Sequence, residues 1–252
     1  MYLLCNTRMR SVGLVFGNDY SDTPEALNGC VNDARGIERL LKEKLLFEDV
    51  NVYTEVTGTQ LTRLVLQAAR QTHLQHVVNL WIHFSGHATQ VRSNNQHESD
   101  GMDECVVPTD HRRVGYLRDN FFRDALRSVN PRTNVIFTFD CCHSATLADL
   151  KYCYTKSLFH DPVVTHSLLA CEARAICVSG CRDPEKSKET GGQGVMTRCL
   201  LEIMEQEGIY ISLPTLIDDL RVAVQRINPN QYPVLSSSRR LQETDLLLRL
   251  VP

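Results

Sequence analysis

The chain has 252 residues, a formal net charge of −3 and an ordinary proportion of apolar side chains. This length suits one large domain or two small ones, and it is enough to bury a core. The near balance of charge gives no reason to expect a nucleic-acid-binding surface. No apolar run is long enough to cross a bilayer, and Arg8 and Arg10 interrupt the apolar start, unlike in a signal peptide. The sequence therefore predicts a cytoplasmic protein without nucleic-acid or membrane partners.

Strand-like and helix-like segments alternate along the chain. The strand-like segments are apolar runs without clean polar alternation, and the helix-like segments carry apolar residues at three- and four-residue spacing. The predicted strands are 11–17, 50–56, 77–86, 104–110, 134–140, 175–180 and 244–250. The predicted helices are 30–46, 57–72 (capped by Thr57 or Thr59), 117–129, 194–206 and 212–227. This order predicts an α/β fold with a mostly parallel central sheet and helices on both faces.

Two of the predicted strands lead into residues that suit nucleophilic catalysis. The stretch WIHFSGH leads to His87, and IFTFDCC leads to Cys142. In parallel sheets the chemistry lies beyond the carboxyl ends of the strands, and a cysteine nucleophile needs an imidazole within hydrogen-bond reach. The two residues lie 55 positions apart, close to the roughly 50 that separate His from Cys in caspases, although the caspase pentapeptide Q-A-C-x-G is absent. On spacing alone, a turn histidine and an inert thiol fit equally well.

The ten cysteines are irregularly spaced and include no C-x-x-C pair. Disulfide scaffolds belong to short secreted chains, so most of these residues are predicted to be buried, reduced thiols. Adjacent Cys141 and Cys142 point in opposite directions at a strand end, and they form a disulfide only with strain. Structural zinc prefers two spaced pairs, and the spaced Cys177 and Cys181 have no second pair beside them. A zinc site and a redox pair are both disfavoured.

The two strand-end stretches resemble known motifs. HFSGHATQ and FDCCHSAT are similar to the H-[FY]-S-G-H-G and D-[SC]-C-H-S-G motifs of metacaspases. Three further blocks resemble that family in the same order along the chain: LNGCVNDARGIERLL, DGMDECVVPTD and YPVLSSSRRLQETDLLL. The resemblance implies a caspase–hemoglobinase fold over a single catalytic domain (1–252) without a recognisable prodomain. It also implies a monomeric cysteine endopeptidase whose protein or peptide substrates carry Arg or Lys at the cleavage site.

The resemblance assigns the catalytic roles residue by residue. His87 corresponds to the general base and Cys142 to the nucleophile, and the backbone N–H groups of Ala88 and Cys142 correspond to the oxyanion hole. Ala88 and Ala145 stand where the family usually has glycine, and a backbone angle reserved for glycine would exclude alanine. A second hypothesis is therefore a binding or scaffold protein of the same fold without useful turnover.

The family's substrate pocket corresponds to Cys30, Asp33, Ser85 and Asp140. Two acids balance a substrate cation, because an unpaired buried charge is costly, and a carboxylate suits the fork of an arginine. Ser85 would accept a further hydrogen bond, and Cys30 would shape the wall. Taken alone, Asp33 fits a solvated acid in the first turn of a helix better than a pocket residue, and Asp140 fits a turn residue equally well.

Many metacaspases need calcium, which takes several oxygen ligands. The family's ligand positions correspond to Asp103, Asp119, Asn120 and Asp149, with Asn120 in place of the usual second acid. We therefore expect a calcium site that is weakened or lost. Related enzymes often cut themselves after a basic residue, and the candidates here are Lys151, Lys156, Lys186 and Lys188.

Overall fold

The described part of the chain consists of strands and helices in alternation. The structure is a computed structural model that describes residues 9–93, 101–142, 147–156, 161–165, 171–181 and 189–249. The strands are β1 (Arg10–Gly17), β2 (Asp49–Thr54), β3 (Val77–Ser85), β4 (Ala88–Arg92), β5 (Met102–Val106), β6 (Leu117–Arg118), β7 (Asn134–Asp140), β8 (Tyr152–Tyr154), β9 (Val163–Val164), β10 (Arg174–Ser179) and β11 (Val234–Ser237). The helices are α1 (Cys30–Arg39, continued by a π-helical turn at Leu40–Lys44), α2 (Gly58–Gln71), α3 (His111–Val114), α4 (Asn120–Arg127), α5 (Val195–Glu207, followed by a 3₁₀ turn at Gly208–Tyr210) and α6 (Leu213–Ile227).

The main sheet has the order β2-β1-β3-β7-β10-β11-β8-β9 within the described residues. The strands from β2 to β10 are parallel, and those from β10 to β9 pair antiparallel. Every residue of β3, β7 and β10 is buried, which is why these segments are continuous apolar runs. The predicted parallel sheet is confirmed for its larger half, and the sheet as a whole is mixed.

Helices cover both faces of the main sheet, as predicted. On one face, Leu61 of α2 and Phe122 of α4 pack with the apolar side chains of β3 and β7. On the other face, Ile37 of α1 and Ile217 of α6 lie in a second cluster. Each of these four side chains is fully buried and so contributes about 1.5–3 kcal/mol to folding. None of the helices in the described segments is long and apolar enough to cross a bilayer.

The start of α2 follows the prediction closely. The hydroxyl of Thr57, rather than that of Thr59, accepts the backbone N–H of Gln60 at 3.3 Å. The side chain of Gln60 in turn accepts the backbone N–H of Thr57 at 3.0 Å. This reciprocal capping box satisfies two backbone donors of the first turn.

The predicted closing strand at 244–250 is wrong for its described residues, 244–249. Among the described residues its backbone forms only an isolated bridge to Ser212, and buried polar side chains of β3 and β7 bond to it as well. Asn79 accepts the N–H of Arg249 at 2.9 Å, and Asn134 donates to the carbonyl of Leu247 at 3.0 Å. The strand at the chain's end is β11, which pairs with β10 and β8.

Candidate active site

The ends of β3 and β7 bring the two predicted catalytic segments to one edge of the sheet. The strands pair in parallel up to Ser85 opposite Asp140, and the N–H of Gly86 donates to the carbonyl of Asp140 at 3.4 Å. His87 and Cys142 each stand two residues beyond this last pair, and both are half-buried. Neighbouring strands therefore carry them to the same edge, as predicted from the apolar runs.

The imidazole and backbone of His87 are held from several sides. Its Nε2 lies 2.8 Å from the carbonyl oxygen of Glu25. Because a carbonyl only accepts, Nε2 carries the proton and Nδ1 is left as the basic nitrogen. The backbone N–H of His87 donates to the hydroxyl of Tyr20 at 2.8 Å, and its carbonyl accepts the N–H of Val107 at 3.0 Å. The ring of His87 lies 4.8 Å from that of Tyr20, centroid to centroid.

Ala88 begins β4, in a second, three-stranded sheet. It pairs with Val106 of β5, so its backbone is extended, a conformation that alanine adopts without strain. The concern that Ala88 replaces an obligatory glycine is therefore removed at this position. The described residues do not include Ala145, Lys186 or Lys188.

Asp33 and Asp140 form a buried acid pair beneath this edge. Asp33 is fully buried, and its carboxylate accepts the hydroxyl of Ser85 at 2.8 Å and the N–H of Gly194 at 3.0 Å. Asp140 accepts the N–H of Thr197 at 2.8 Å. Burial, with a further contribution from the charge of Asp140, raises the pKa of Asp33 to about 8. Three of the four predicted pocket residues are thus in one buried group.

Gly194 lies between these two acids and was missed by the sequence reasoning. A Cβ built on Gly194 would collide with the carboxylate of Asp140 and lie 2.8 Å from Oδ2 of Asp33. Because Gly194 is the residue before α5, the helix begins with its backbone N–H groups directed at the acids. Only glycine lets the backbone approach so closely.

The fourth predicted pocket residue, Cys30, lies at the start of α1 among further acids. Its thiol is 3.6 Å from Oε1 of Glu189, and its N–H donates to Oδ1 of Asp19 at 2.8 Å. Glu189 also accepts the N–H of Gly29 at 3.0 Å. Burial raises the pKa of the Cys30 thiol, so it is neutral. Asp19 and Glu189, neither of them singled out from the sequence, accept the N–H groups at the helix start that have no partner within the helix.

A surface cleft opens beside His87. It is bordered by the segment 24–27 on one side and by Thr89, Val107, His111 and Tyr116 on the other. His87 and Ala88 lie on its wall. A polypeptide lying in this cleft would pass the imidazole and the start of β4.

The four predicted calcium ligands do not form an open cage of oxygen atoms. Asp103 pairs with Arg118, and Asp149 pairs with Arg123 at 3.3 Å. Asp19, Cys30 and Glu189 lie elsewhere, with their ligand atoms within 4.8 Å of each other. They are the one such group of three or more Asp, Glu, His or Cys side chains in the described segments. Calcium takes six to eight oxygen ligands, so the four predicted positions, with two of their acids paired to arginines, do not fit the ion. The calcium site stays a prediction that the geometry does not support.

The two described processing candidates, Lys151 and Lys156, are exposed. Their carbonyl groups are already bonded: that of Lys151 accepts the N–H of Thr165 at 2.9 Å, and that of Lys156 accepts from Arg221 at 2.6 Å. Cleavage at either residue requires these bonds to open. Autoprocessing stays a prediction.

The sequence matches a known protein family over most of its length. A family model described as "Caspase domain" matches residues 10–244. Metacaspase-1 of Yarrowia lipolytica is 27% identical, over 99% of this chain and 65% of its own length. Metacaspase-1B of Aspergillus oryzae is 30% identical, over 64% of this chain and 40% of its own. The chain thus spans between two fifths and two thirds of these relatives.

A crystal structure of the protein GSU0716 from Geobacter sulfurreducens has the same fold. It superposes with a TM-score of 0.64 and covers 94% of this chain and 99% of its own. The sequence identity is 19%, so this likeness concerns the fold alone.

Proposed function

The chain belongs to the caspase-domain family, in its metacaspase branch, and on this premise we propose that it is a cysteine endopeptidase that cuts protein or peptide substrates after Arg or Lys. The observation that carries the proposal is the buried acid pair, Asp33 and Asp140, at the strand edge that also bears His87 and Cys142. Buried carboxylates favour a cationic partner, because the cation stabilises the negative charge that burial has removed from water.

The proposed reaction has two stages. The thiol of Cys142 passes its proton to His87, and its sulfur attacks the carbonyl carbon of the Arg or Lys residue, while the N–H groups of Ala88 and Cys142 donate to the developing oxyanion. His87 gives a proton to the leaving amine, and the C–N bond breaks to leave a thioester. A water molecule, losing its proton to His87, then attacks the thioester and releases the acid and the thiol.

The hydrogen bond of His87 to Glu25 supports this assignment. A carbonyl acceptor at Nε2 fixes the tautomer and leaves Nδ1 for the exchange of protons with the thiol, the leaving amine and water. The carbonyl of Glu25 is thus the counterpart of the third group that orients the base in other nucleophilic enzymes.

The test is hydrolysis of a fluorogenic peptide ending in Arg, compared with one ending in Asp, by wild type and by Cys142→Ala. Cys171→Ala is the matched control, because Cys171 is another half-buried cysteine. We expect turnover of the Arg peptide alone, lost by about a thousandfold or more in Cys142→Ala and kept in Cys171→Ala. No turnover of either peptide by a folded chain would favour the binding or scaffold hypothesis, for which the described residues offer no separate support.

The monomeric state and the cytoplasmic location both stay predictions. Light scattering on the purified chain tests the first, and fractionation of cells that express it tests the second.

A further inference from the structure

Arg123 lies where two of the predicted calcium ligands meet. Its guanidinium donates to the amide oxygen of Asn120, one turn earlier on α4, and it lies 3.3 Å from Oδ2 of Asp149. The side chains of Arg123 and Asp149 are each 18% exposed. Arg123 thus joins the start of α4 to Asp149, which lies seven positions after Cys142 in the sequence.

A second arginine, Arg118, pairs with the acid at a third predicted ligand position. Asp103 on β5 pairs with Arg118 on β6, and the Asp103 side chain is 8% exposed. Arg118 directly precedes Asp119, whose N–H donates to the carbonyl of Glu104 at 3.0 Å. The four positions therefore carry three carboxylates, and two guanidinium groups lie among them.

This arrangement competes directly with a divalent cation. Calcium would have to detach Asp149 from Arg123 and Asp103 from Arg118 before those oxygens could bind it. The displaced guanidinium groups would stay close by and repel the ion, and Asn120 lacks the charge that an acid would supply. An arginine in a partly buried, forked contact already supplies the positive charge.

We propose that Arg123 takes the place of a calcium ion in this chain, so that the chain itself provides the cation that joins α4 to Asp149. Asp149 is then joined to α4 without calcium, and the chain does not bind calcium at these four positions. This inference concerns metal binding and stability, and it stands apart from the proposed peptidase activity.

The first test uses the wild-type chain with calcium alone. Calorimetric titration should give no binding heat, and thermal unfolding should give the same Tm in millimolar calcium as in an excess of chelator. A bound ion at a hundred times its Kd would raise Tm by about 5 °C or more in a chain of this length. A rise of that size, abolished by Asp149→Asn, would overturn the proposal.

The second test removes the internal cation. Arg123→Gln should lower Tm in the absence of calcium, because it removes the guanidinium that pairs with the half-buried Asp149. Arg127→Gln is the matched control: it lies one turn further on the same helix, and its pair with Asp124 is exposed, with side-chain exposures of 47% and 61%. Equal Tm values for the two variants would contradict the proposal.

A double variant, Arg123→Gln with Asn120→Asp, restores the acid and removes one of the two competing guanidinium groups, leaving Arg118. We expect calcium to raise the Tm of this variant by several degrees while leaving wild type unchanged. A calcium response in wild type as large as in the double variant would overturn the proposal. If Arg123→Gln fails to fold, the calorimetry on wild type decides the matter alone.

Discussion

The hydroxyl of Tyr20 joins the backbone of His87 to the neighbouring sheet. It accepts the His87 N–H at 2.8 Å and donates to the carbonyl of Val107 at 2.7 Å. Tyr20 is 2% exposed and has a φ of 52°, a left-handed angle that is uncommon outside glycine. The carboxylate of Glu55 supports this turn by accepting the N–H groups of Asp19 at 2.7 Å and Tyr20 at 3.1 Å.

Tyr20→Phe should therefore slow catalysis without weakening substrate binding. The change leaves a buried N–H and a buried carbonyl without their partner, which costs about 1–3 kcal/mol, and it loosens the turn that carries His87. We expect kcat to fall about tenfold with KM nearly unchanged. Tyr53→Phe is the control, because Tyr53 stacks on Phe16 away from His87. A fall in kcat of the same size in both variants would contradict a positioning role.

The sequence predicts those site residues that lie at or just beyond the ends of the apolar strands. β3 and β7 are buried on both faces, so their apolar runs and the residues just beyond them are visible without a structure. Gly194 and Glu189 are not visible in this way, since their partners Asp33 and Gly29 lie about 160 positions earlier in the chain. Contacts at that separation leave no local pattern.

The errors in the predicted elements have a similar physical origin. The apolar spacing of 30–46 predicts one helix, but α1 ends at Arg39 and a π-helical turn follows. The strands β8 and β9 have three and two residues, too few to show an alternation. The segment 244–249 is apolar and partly buried, but its backbone bonds to polar side chains of the sheet and to the loop before α6 rather than to a neighbouring strand.

Binding of a cation to the acid pair should strengthen as pH rises toward 8. The pKa of Asp33 is about 8 in the free protein, mainly because of burial, so below that pH a proton must leave before the carboxylate can pair with a guanidinium. The affinity for agmatine, measured by calorimetry, should rise by up to about tenfold per pH unit between pH 6 and 8 and then level off.

Two variants test whether Asp33 is the group responsible. Asp33→Asn should abolish the pH dependence of agmatine binding. Asp110→Asn should retain it, because Asp110 is an acid that accepts the N–H of Gly58 at a different helix start. An unchanged pH dependence in Asp33→Asn would show that another group titrates.

Gly194→Ala should damage the acid pocket. The added methyl group collides with Asp140 and comes within 2.8 Å of Asp33, and such overpacking costs about 1–3 kcal/mol. We expect a lower Tm and at least a tenfold loss of agmatine affinity. Gly58→Ala, at the start of α2, is the control, since its Cβ would meet Pro108 at an ordinary 3.4 Å. Normal agmatine binding by Gly194→Ala would mean that the acids do not form the cation site.

Acid should destabilise the fold through His83. This residue is fully buried, its Nδ1 lies 2.9 Å from the hydroxyl of Thr138, and burial lowers its pKa to about 3. Between pH 6.5 and 3 the unfolded chain therefore binds a proton that the native chain does not, so stability falls as pH falls through that range.

Denaturant unfolding at pH 7 and pH 5 measures the effect. The contribution of His83 should make wild type lose about 2 kcal/mol more than His83→Phe over that interval. Comparing the two chains cancels the titration of every other group that the substitution leaves alone. An equal loss in both would contradict the assignment of a neutral, buried imidazole.

Covalent labelling tests directly whether Cys142 is the nucleophile of an enzyme that recognises basic side chains. The chain is treated with a chloromethyl ketone bearing Arg and, separately, with one bearing Asp, and the adducts are located by peptide mass spectrometry. Burial raises the pKa of Cys105 to about 12 and that of Cys199 to about 11, so such thiols should stay unmodified. We expect one adduct, on Cys142, formed with the Arg reagent and slowed strongly by His87→Ala. Equal labelling by the Asp reagent, or an adduct on another cysteine, would contradict this role for Cys142.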